Sequence, residues 1–280
     1  MTWQARLDDA RALYAKLITA SCIRSTDRLE DAFELVPREA FLPPGPWKLF
    51  AARGRYVETP TSDPIHLYQN VLVALDADVG LNTGSPELHA HWLDAVMPDR
   101  GESVVHVGAG TGYYSAILSL LVLPHGRVDA FEIRKDLADE AARNLIPFEN
   151  VTVHHADATS LRLPQADVIY VNASVSEPPL AWLEALRPGG RLIFPWQPSR
   201  DVGITALITS RGSGFAFEPL MQSRFIQCVG ASDNFTDHPG LDTDAARNIR
   251  SVRVCAEQAP DETNIAAFEH IWFSSEKLAA

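Results

Sequence analysis

Residues 104–112 read VVHVGAGTG and run directly into YYSAILSLL at 113–121. An uninterrupted apolar run, a turn carrying Gly108, Gly110 and Gly112, and an apolar stretch of helical character together spell strand, turn and helix. Glycine in such a turn lets the backbone pass close to a ligand, and the helix that follows points its free amides at the same place. The strand 103–108 and a later run, ADVIYVN at 166–172, are apolar on both side-chain parities, as parallel strands covered on both faces must be.

Outward from this unit the chain alternates regularly. Helix 86–97, strand 103–108, helix 112–123, strand 127–132, helix 136–146, strand 151–155, strand 166–172, helix 179–186 and strand 190–196 follow one another. Strands alternating with helices over this length imply an α/β fold, a doubly wound and mostly parallel sheet with helices on both faces. Before it, residues 2–20 and Asp27 to Val36 have helical spacing, with Ser25 or Thr26 as a cap, and VLVALDA at 71–77 reads as a strand. Between them the Pro-rich stretch PREAFLPPGPW, Pro37 to Trp47, interrupts any helix. After Arg200 the alternation weakens; GITALITS, a glycine-containing turn at 211–214 and further apolar pieces predict antiparallel strands and a late helix. The expected organisation is a helical cap over 1–80, a ligand-binding α/β core over 81–200, and an extension over 201–280 that completes the sheet.

Composition narrows the function. With 280 residues and 46% hydrophobic composition the chain can bury a sizeable core. Its longest strongly apolar stretch, Ala116 to Leu123, is broken by Ser119 and ends at Pro124, far short of a membrane span of about 20 residues. The start mixes Arg6, Asp8, Asp9 and Arg11 into a helical period, unlike a secretory leader, so a cytoplasmic protein is expected. A formal net charge of -12 without any basic run argues against nucleic acid as a partner. Cys22, Cys228 and Cys255 have neither the number nor the spacing of a disulfide framework or metal site. The i, i+2 pair His89 and His91 points its rings apart on a helix, and His154 and His155 alternate faces on a strand, so no metal is expected.

Three polar residues extend the glycine turn towards a ligand. Glu132 ends a strand about 20 residues after the last glycine, where a carboxylate accepts hydrogen bonds from ribose hydroxyls. Asp157 lies just past the strand VTVHH, within reach of an adenine amino group, and is otherwise a solvated loop acid. Asn172 ends its strand at the carboxyl edge, where open α/β sheets bind ligands, or serves as a strand-end cap. Nicotinamide and adenosylmethionine cofactors both fit this pattern; one titration with each distinguishes them.

VPREAFLPP at 36–44, VVHVGAGTGYYSAIL at 104–118, the pair Asn150 and Val151, and RPGGRLIFPW at 187–196 occur in the order found in protein-L-isoaspartate O-methyltransferases, and the chain resembles that family over roughly residues 30–200. The resemblance implies methyl transfer from S-adenosyl-L-methionine to a carboxylate of an altered peptide residue. It implies that Gly108, Gly110 and Gly112, with Ala109 and Thr111 between them, line the methionine end of the cofactor. Glu132 would hold the ribose, and Asp157 with Ala158 would border the adenine.

Two departures stand out. The family strand usually ends on an acid where this chain has His106, a partly buried histidine with a structural partner by expectation. A Thr-Ile-Ser-Gln-Pro-like segment corresponds here to Asn82-Thr83-Gly84-Ser85-Pro86, so the family serine falls on Gly84 and the family threonine on Asn82. Thr83, Ser85 and Tyr56 are therefore the candidate catalytic residues, and Tyr56, Thr59, Asn82 and Thr83 the candidate substrate wall. Ser85, before Pro86 and Glu87, also has the sequence of a helix N-cap. The main reading is a carboxyl methyltransferase acting on isoaspartyl-like residues. The alternatives are a same-fold methyltransferase for a small molecule or dedicated peptide, and a non-catalytic adenosylmethionine-binding protein.

Overall fold

The computed structural model describes residues 2–24, 27–51, 54–212, 214–232 and 241–278. The capping positions Ser25 and Thr26 lie outside them. Helix α1 (Trp3–Thr19) is capped by Thr2, whose hydroxyl accepts from the Ala5 amide at 3.2 Å, and α2 (Asp27–Leu35) packs against it. Two small hairpins follow, β1 (Lys48–Phe50) with β2 (Tyr56–Glu58), and β3 (Ala74–Asp76) with β4 (Leu81–Asn82). The strand expected over 71–77 is thus reduced to three residues. The carbonyl of Val71 is taken at 3.0 Å by the guanidinium of Arg38, which also binds the carbonyls of Leu67 and Gln69, so this backbone is satisfied without a strand partner. Arg38 is fully buried against the rings of Tyr14 and Tyr113 and pins the cap to the core.

From α3 (Pro86–Val96) onward the expected alternation holds: β5 (Ser103–Val107), α4 (Tyr113–Val122), β6 (Arg127–Glu132), α5 (Lys135–Asn144), β7 (Val151–His155), β8 (Ala166–Val171), α6 (Leu180–Glu184) and β9 (Leu186–Trp196). Strand β9 begins four residues before its expected start. Leu186 already pairs with Ala166, and a register shift before Val168 accommodates Pro188–Gly190 within the strand. Beyond it come β10 (Ile204–Arg211), β11 (Gly214–Gln222), α7 (Thr243–Arg247), β12 (Ser251–Val254), β13 (Asn264–Ala267) and β14 (Ile271–Ser274).

Among the described residues ten strands form one sheet in the order β13-β14-β12-β11-β10-β9-β8-β5-β6-β7. The five from β9 to β7 are parallel, and β10 to β14 are added antiparallel. Every residue of β5 is buried, because its parities serve two cores: Val105 and Val107 face the one containing Trp182, and Val104 faces the one containing α1, α2 and α4. The chain leaves β5 towards β6 on one side and returns as β8 on the other. That reversal opens a crevice at the carboxyl ends of β5 and β8, where ligands of open α/β folds bind. No helix is long and apolar enough to cross a membrane among the described residues.

Candidate active site

A cavity of ≈ 720 Å³ opens at this reversal. The size suits a small-molecule or cofactor site, which typically spans about 300–1,000 Å³. Its floor is the glycine turn. Gly108 and Gly110 have φ of +74° and +56°, and a Cβ added to either meets protein only at 3.5 Å or more. Neighbouring protein therefore does not crowd out a side chain there. The left-handed backbone and the open space above it call for glycine. Gly112 differs. It does not line the cavity, and a Cβ there would fall 2.7 Å from Leu145 Cδ1, so its role is the close packing of α4 against the end of α5 rather than ligand contact. Ala109 and Thr111 line the floor as expected.

Glu132, at the end of β6, is buried beside the turn, with Oε2 accepting from the Gly110 amide at 2.8 Å and Oε1 from the Arg134 amide at 2.9 Å. Burial raises its pKa, and the amides of Arg134 and Gly110 pull it back. Each oxygen keeps a lone pair for a hydroxyl donor. Asp157 and Ala158 line the opposite end; Asp157 Oδ1 is held by the amide and hydroxyl of Thr159, and the Ala158 carbonyl accepts from Trp182 Nε1 at 2.9 Å. Arg134, which the sequence reading passed over, also lines the cavity and ties β3 to this end through Asp76 at 2.9 Å.

The two departures find structural explanations. His106 is completely buried, beyond the partial burial expected, and burial pushes its pKa down to about 3. Its ring nitrogens pair with Ser115 Oγ at 2.7 Å and Asn172 Nδ2 at 2.8 Å. The neutral ring accepts from the amide at Nε2 and donates to Ser115 from Nδ1. Asn172 Oδ1 is then left buried without a partner on the cavity wall, an acceptor awaiting a donor.

In the 82–86 segment, Thr83, Ser85 and Asn82 all line the cavity, yet their polar groups are committed to the protein. Thr83 Oγ1 accepts from the Val73 amide at 3.1 Å. Ser85 Oγ caps α3 and donates to Asn70 Oδ1 at 3.0 Å. Asn82 Oδ1 accepts from the Gly84 amide at 2.9 Å. Tyr56 and Thr59 are corrections of a different kind, since neither lines the cavity. Tyr56 packs edge-on against Phe50 in the first hairpin, and buried Thr59 bonds the Trp47 amide and the Thr61 carbonyl. Neither is positioned to meet a ligand in this cavity.

The largest omission is the strap that leaves β11 at Gln222, runs to Val229 and lines the far wall. Ser174, just past β8, fastens it: the Ser174 amide donates to the Ile226 carbonyl at 2.7 Å, and the Cys228 amide donates to the Ser174 carbonyl at 2.8 Å. Phe225 stacks on Trp92 with centroids 5.1 Å apart. No local pattern betrays this strap, because only the antiparallel return of β10 and β11 carries it to the end of β8. Tyr114 and His89 also line the cavity, and Tyr114, two residues after Gly112, could have been found from its position.

A family model described as protein-L-isoaspartate(D-aspartate) O-methyltransferase matches residues 8–233, which take in the turn, Glu132, Asn172 and the strap. The chain belongs to that family. A protein-L-isoaspartate O-methyltransferase of Ignicoccus hospitalis is 27% identical over 223 residues, or 78% of this chain and 96% of the relative. A solved structure of the same name superposes with a TM-score of 0.68 at 24% identity, over 80% of this chain and 67% of the other. Another, a putative protein-L-isoaspartate O-methyltransferase from Plasmodium falciparum solved with S-adenosyl-L-homocysteine, gives 0.62 at 19% identity over 79% and 98% of the two chains. Both superpositions establish a shared fold. Members of the protein-L-isoaspartate O-methyltransferase family draw their methyl group from S-adenosyl-L-methionine, and this cavity fits that donor. The open glycine turn, a Glu132 carboxylate with acceptor capacity to spare and the unpartnered Asn172 Oδ1 leave space and acceptors free on that wall.

Proposed function

We propose that this chain methylates a carboxylate of a peptide residue of isoaspartyl type. The observation that carries the reading is the charge of the cavity's acceptor side. The wall built from 72–89 and the strap holds Arg224 and no Asp or Glu among the described lining residues, in a chain of net charge -12. A wall cleared of carboxylates within an acidic protein suits an anionic acceptor. The lining carboxylates, Glu132 and Asp157, sit at the opposite side beside the turn and β7.

When bound, S-adenosylmethionine supplies a methyl group on a positively charged sulfur. A carboxylate with an ordinary pKa near 4 is already ionised at neutral pH, so no general base is required of the protein. The chain's work is orientation and exclusion of water. Leu72, Leu75, Leu88 and Phe225 supply the apolar part of the wall. Asn172, held by His106, and Glu132, held by two amides, fix the cofactor side.

The experiment is incubation with radiolabelled S-adenosylmethionine and either an isoaspartyl peptide or its normal aspartyl counterpart. Base-labile label in the first alone supports the reading. Label in neither, by protein that binds S-adenosylmethionine, points instead to a small-molecule or dedicated-peptide acceptor. The absence of a side chain at Gly84 favours that second reading.

A further inference from the structure

His89 and Tyr114 line the acceptor side of the cavity without any role in the scheme above. His89 is 1% exposed, its Nδ1 pairs with Tyr170 Oη at 2.8 Å, and its ring stacks on Tyr114 with centroids 3.7 Å apart and planes 22° apart. Trp92 and Phe225 flank it at 5.4 and 5.9 Å. No group among the described residues hydrogen-bonds His89 Nε2, and the buried Tyr114 hydroxyl has no partner either. Buried polar groups are normally satisfied, so the orphaned Tyr114 hydroxyl on a cavity wall, on a ring stacked against the imidazole whose Nε2 is uncommitted, points to a ligand that engages this pair.

Gly84 belongs to the same arrangement. Its φ is +74°, and a Cβ built on it would collide with His89 Nε2 and lie 2.9 Å from Cδ2. The missing side chain at 84 and the imidazole at 89 therefore compete for one volume, and here the imidazole has it.

We propose that His89 Nε2 and the Tyr114 hydroxyl form a two-donor seat for the acceptor carboxylate, built in the space that Gly84 leaves free. This rests on the carboxylate-acceptor reading above. Both donors are neutral. Burial, with His106 nearby, holds the imidazole well below the usual histidine range, and burial keeps the Tyr114 and Tyr170 hydroxyls protonated. Tyr170 Oη has His89 as its hydrogen-bond partner among the described residues; by donating to Nδ1 it leaves the proton on Nε2, facing the acceptor. Two neutral donors orient a carboxylate without placing a full cation beside a sulfonium that it would repel.

The test uses the full chain and three variants. His89→Leu keeps bulk and removes the donor, His89→Gln keeps an N–H donor, and Tyr114→Phe removes one hydroxyl while preserving the stack. Calorimetry reads S-adenosylhomocysteine affinity, then isoaspartyl-peptide affinity of the S-adenosylhomocysteine-loaded protein, beside kcat/KM for methyl transfer. Expected are losses in kcat/KM of about 10²-fold for His89→Leu and about tenfold for Tyr114→Phe, with partial retention in His89→Gln. S-adenosylhomocysteine affinity should stay within about threefold throughout. Tyr114→Phe should also melt no lower than wild type, because it removes an unsatisfied buried hydroxyl. If wild type methylates the isoaspartyl peptide and both His89→Leu and Tyr114→Phe match it within threefold, the seat is wrong and the proposed function stands. If His89→Gln falls as far as His89→Leu, or the variants lose S-adenosylhomocysteine affinity equally, the role is structural and the seat is wrong. Wild type that neither binds nor methylates the peptide overturns the acceptor reading and the seat together.

Discussion

The two sides of the cavity are built by different means. The side proposed for the cofactor is made of main chain and strand ends: Gly108 and Gly110 at the end of β5, Glu132 at the end of β6, Asn172 at the end of β8. The side proposed for the acceptor is made of side chains from the 82–89 segment, α4 and the strap, which meet only in the folded chain. A site of the first kind depends on backbone conformation and tolerates few replacements at few positions. A site of the second kind can be rebuilt by exchanging volume between neighbours, as Gly84 and His89 do here.

The sharpest test of this contrast is Gly110→Val. A β-branched residue at φ +56° is strained by about 1–3 kcal/mol and also projects into ligand space, so S-adenosylmethionine affinity should fall about 10²-fold or more by calorimetry. A smaller loss than Glu132→Ala causes would mean that the turn is not the cofactor floor. For Glu132→Ala, the loss of charge-assisted bonds worth about 1.5–3 kcal/mol should weaken binding at least tenfold.

On the acceptor side, Gly84→Ser should restore nothing. The collision with His89 and the positive φ should lower stability by about 1–3 kcal/mol in urea titrations and leave transfer no higher than wild type. An increase in transfer would show that the lost serine, and not the imidazole, sets acceptor recognition.

The two buried histidines span both sides and make a pH prediction. Unfolded histidine titrates near 6.5, whereas folded His106 lies at about 3 and His89 well below its usual range. The unfolded chain therefore binds more protons in this window. Stability from these groups is complete above about pH 6.5 and falls as pH drops towards 3, by up to about 1.4 kcal/mol per pH unit for each histidine. Urea midpoints at pH 7, 6 and 5 measure the slope, and His106→Asn should flatten it.

Smallest is Thr83→Val. Because the hydroxyl is spent on the Val73 amide, its loss should cost about 1 kcal/mol of stability and change transfer less than threefold, instead of the 10²-fold expected of a catalytic hydroxyl. A hundredfold loss would return Thr83 to the reaction.

These contrasts mark how far the sequence could be read. Helix α3 and strands β6 and β7 were legible because their periodicity, caps and glycine boundaries are local, and Ser85 caps α3 as its sequence requires. Gly112 was misread because spacing cannot tell a glycine that admits a ligand from one that admits Leu145. Tyr56 and Thr59 were misplaced because the hairpin of β1 and β2 turns them onto Phe50 and Trp47.

By itself the sequence determined the parallel α/β core, the glycine floor and its acidic partner, because each rests on backbone conformation encoded within a few residues. The tertiary structure alone decided the rest. It spent the hydroxyls of Thr83 and Ser85 within the protein, carried the strap across β8, and gave the volume beside Gly84 to His89. Hydrogen-bond partners and excluded volume are properties of neighbours in space, and no spacing along the chain records them.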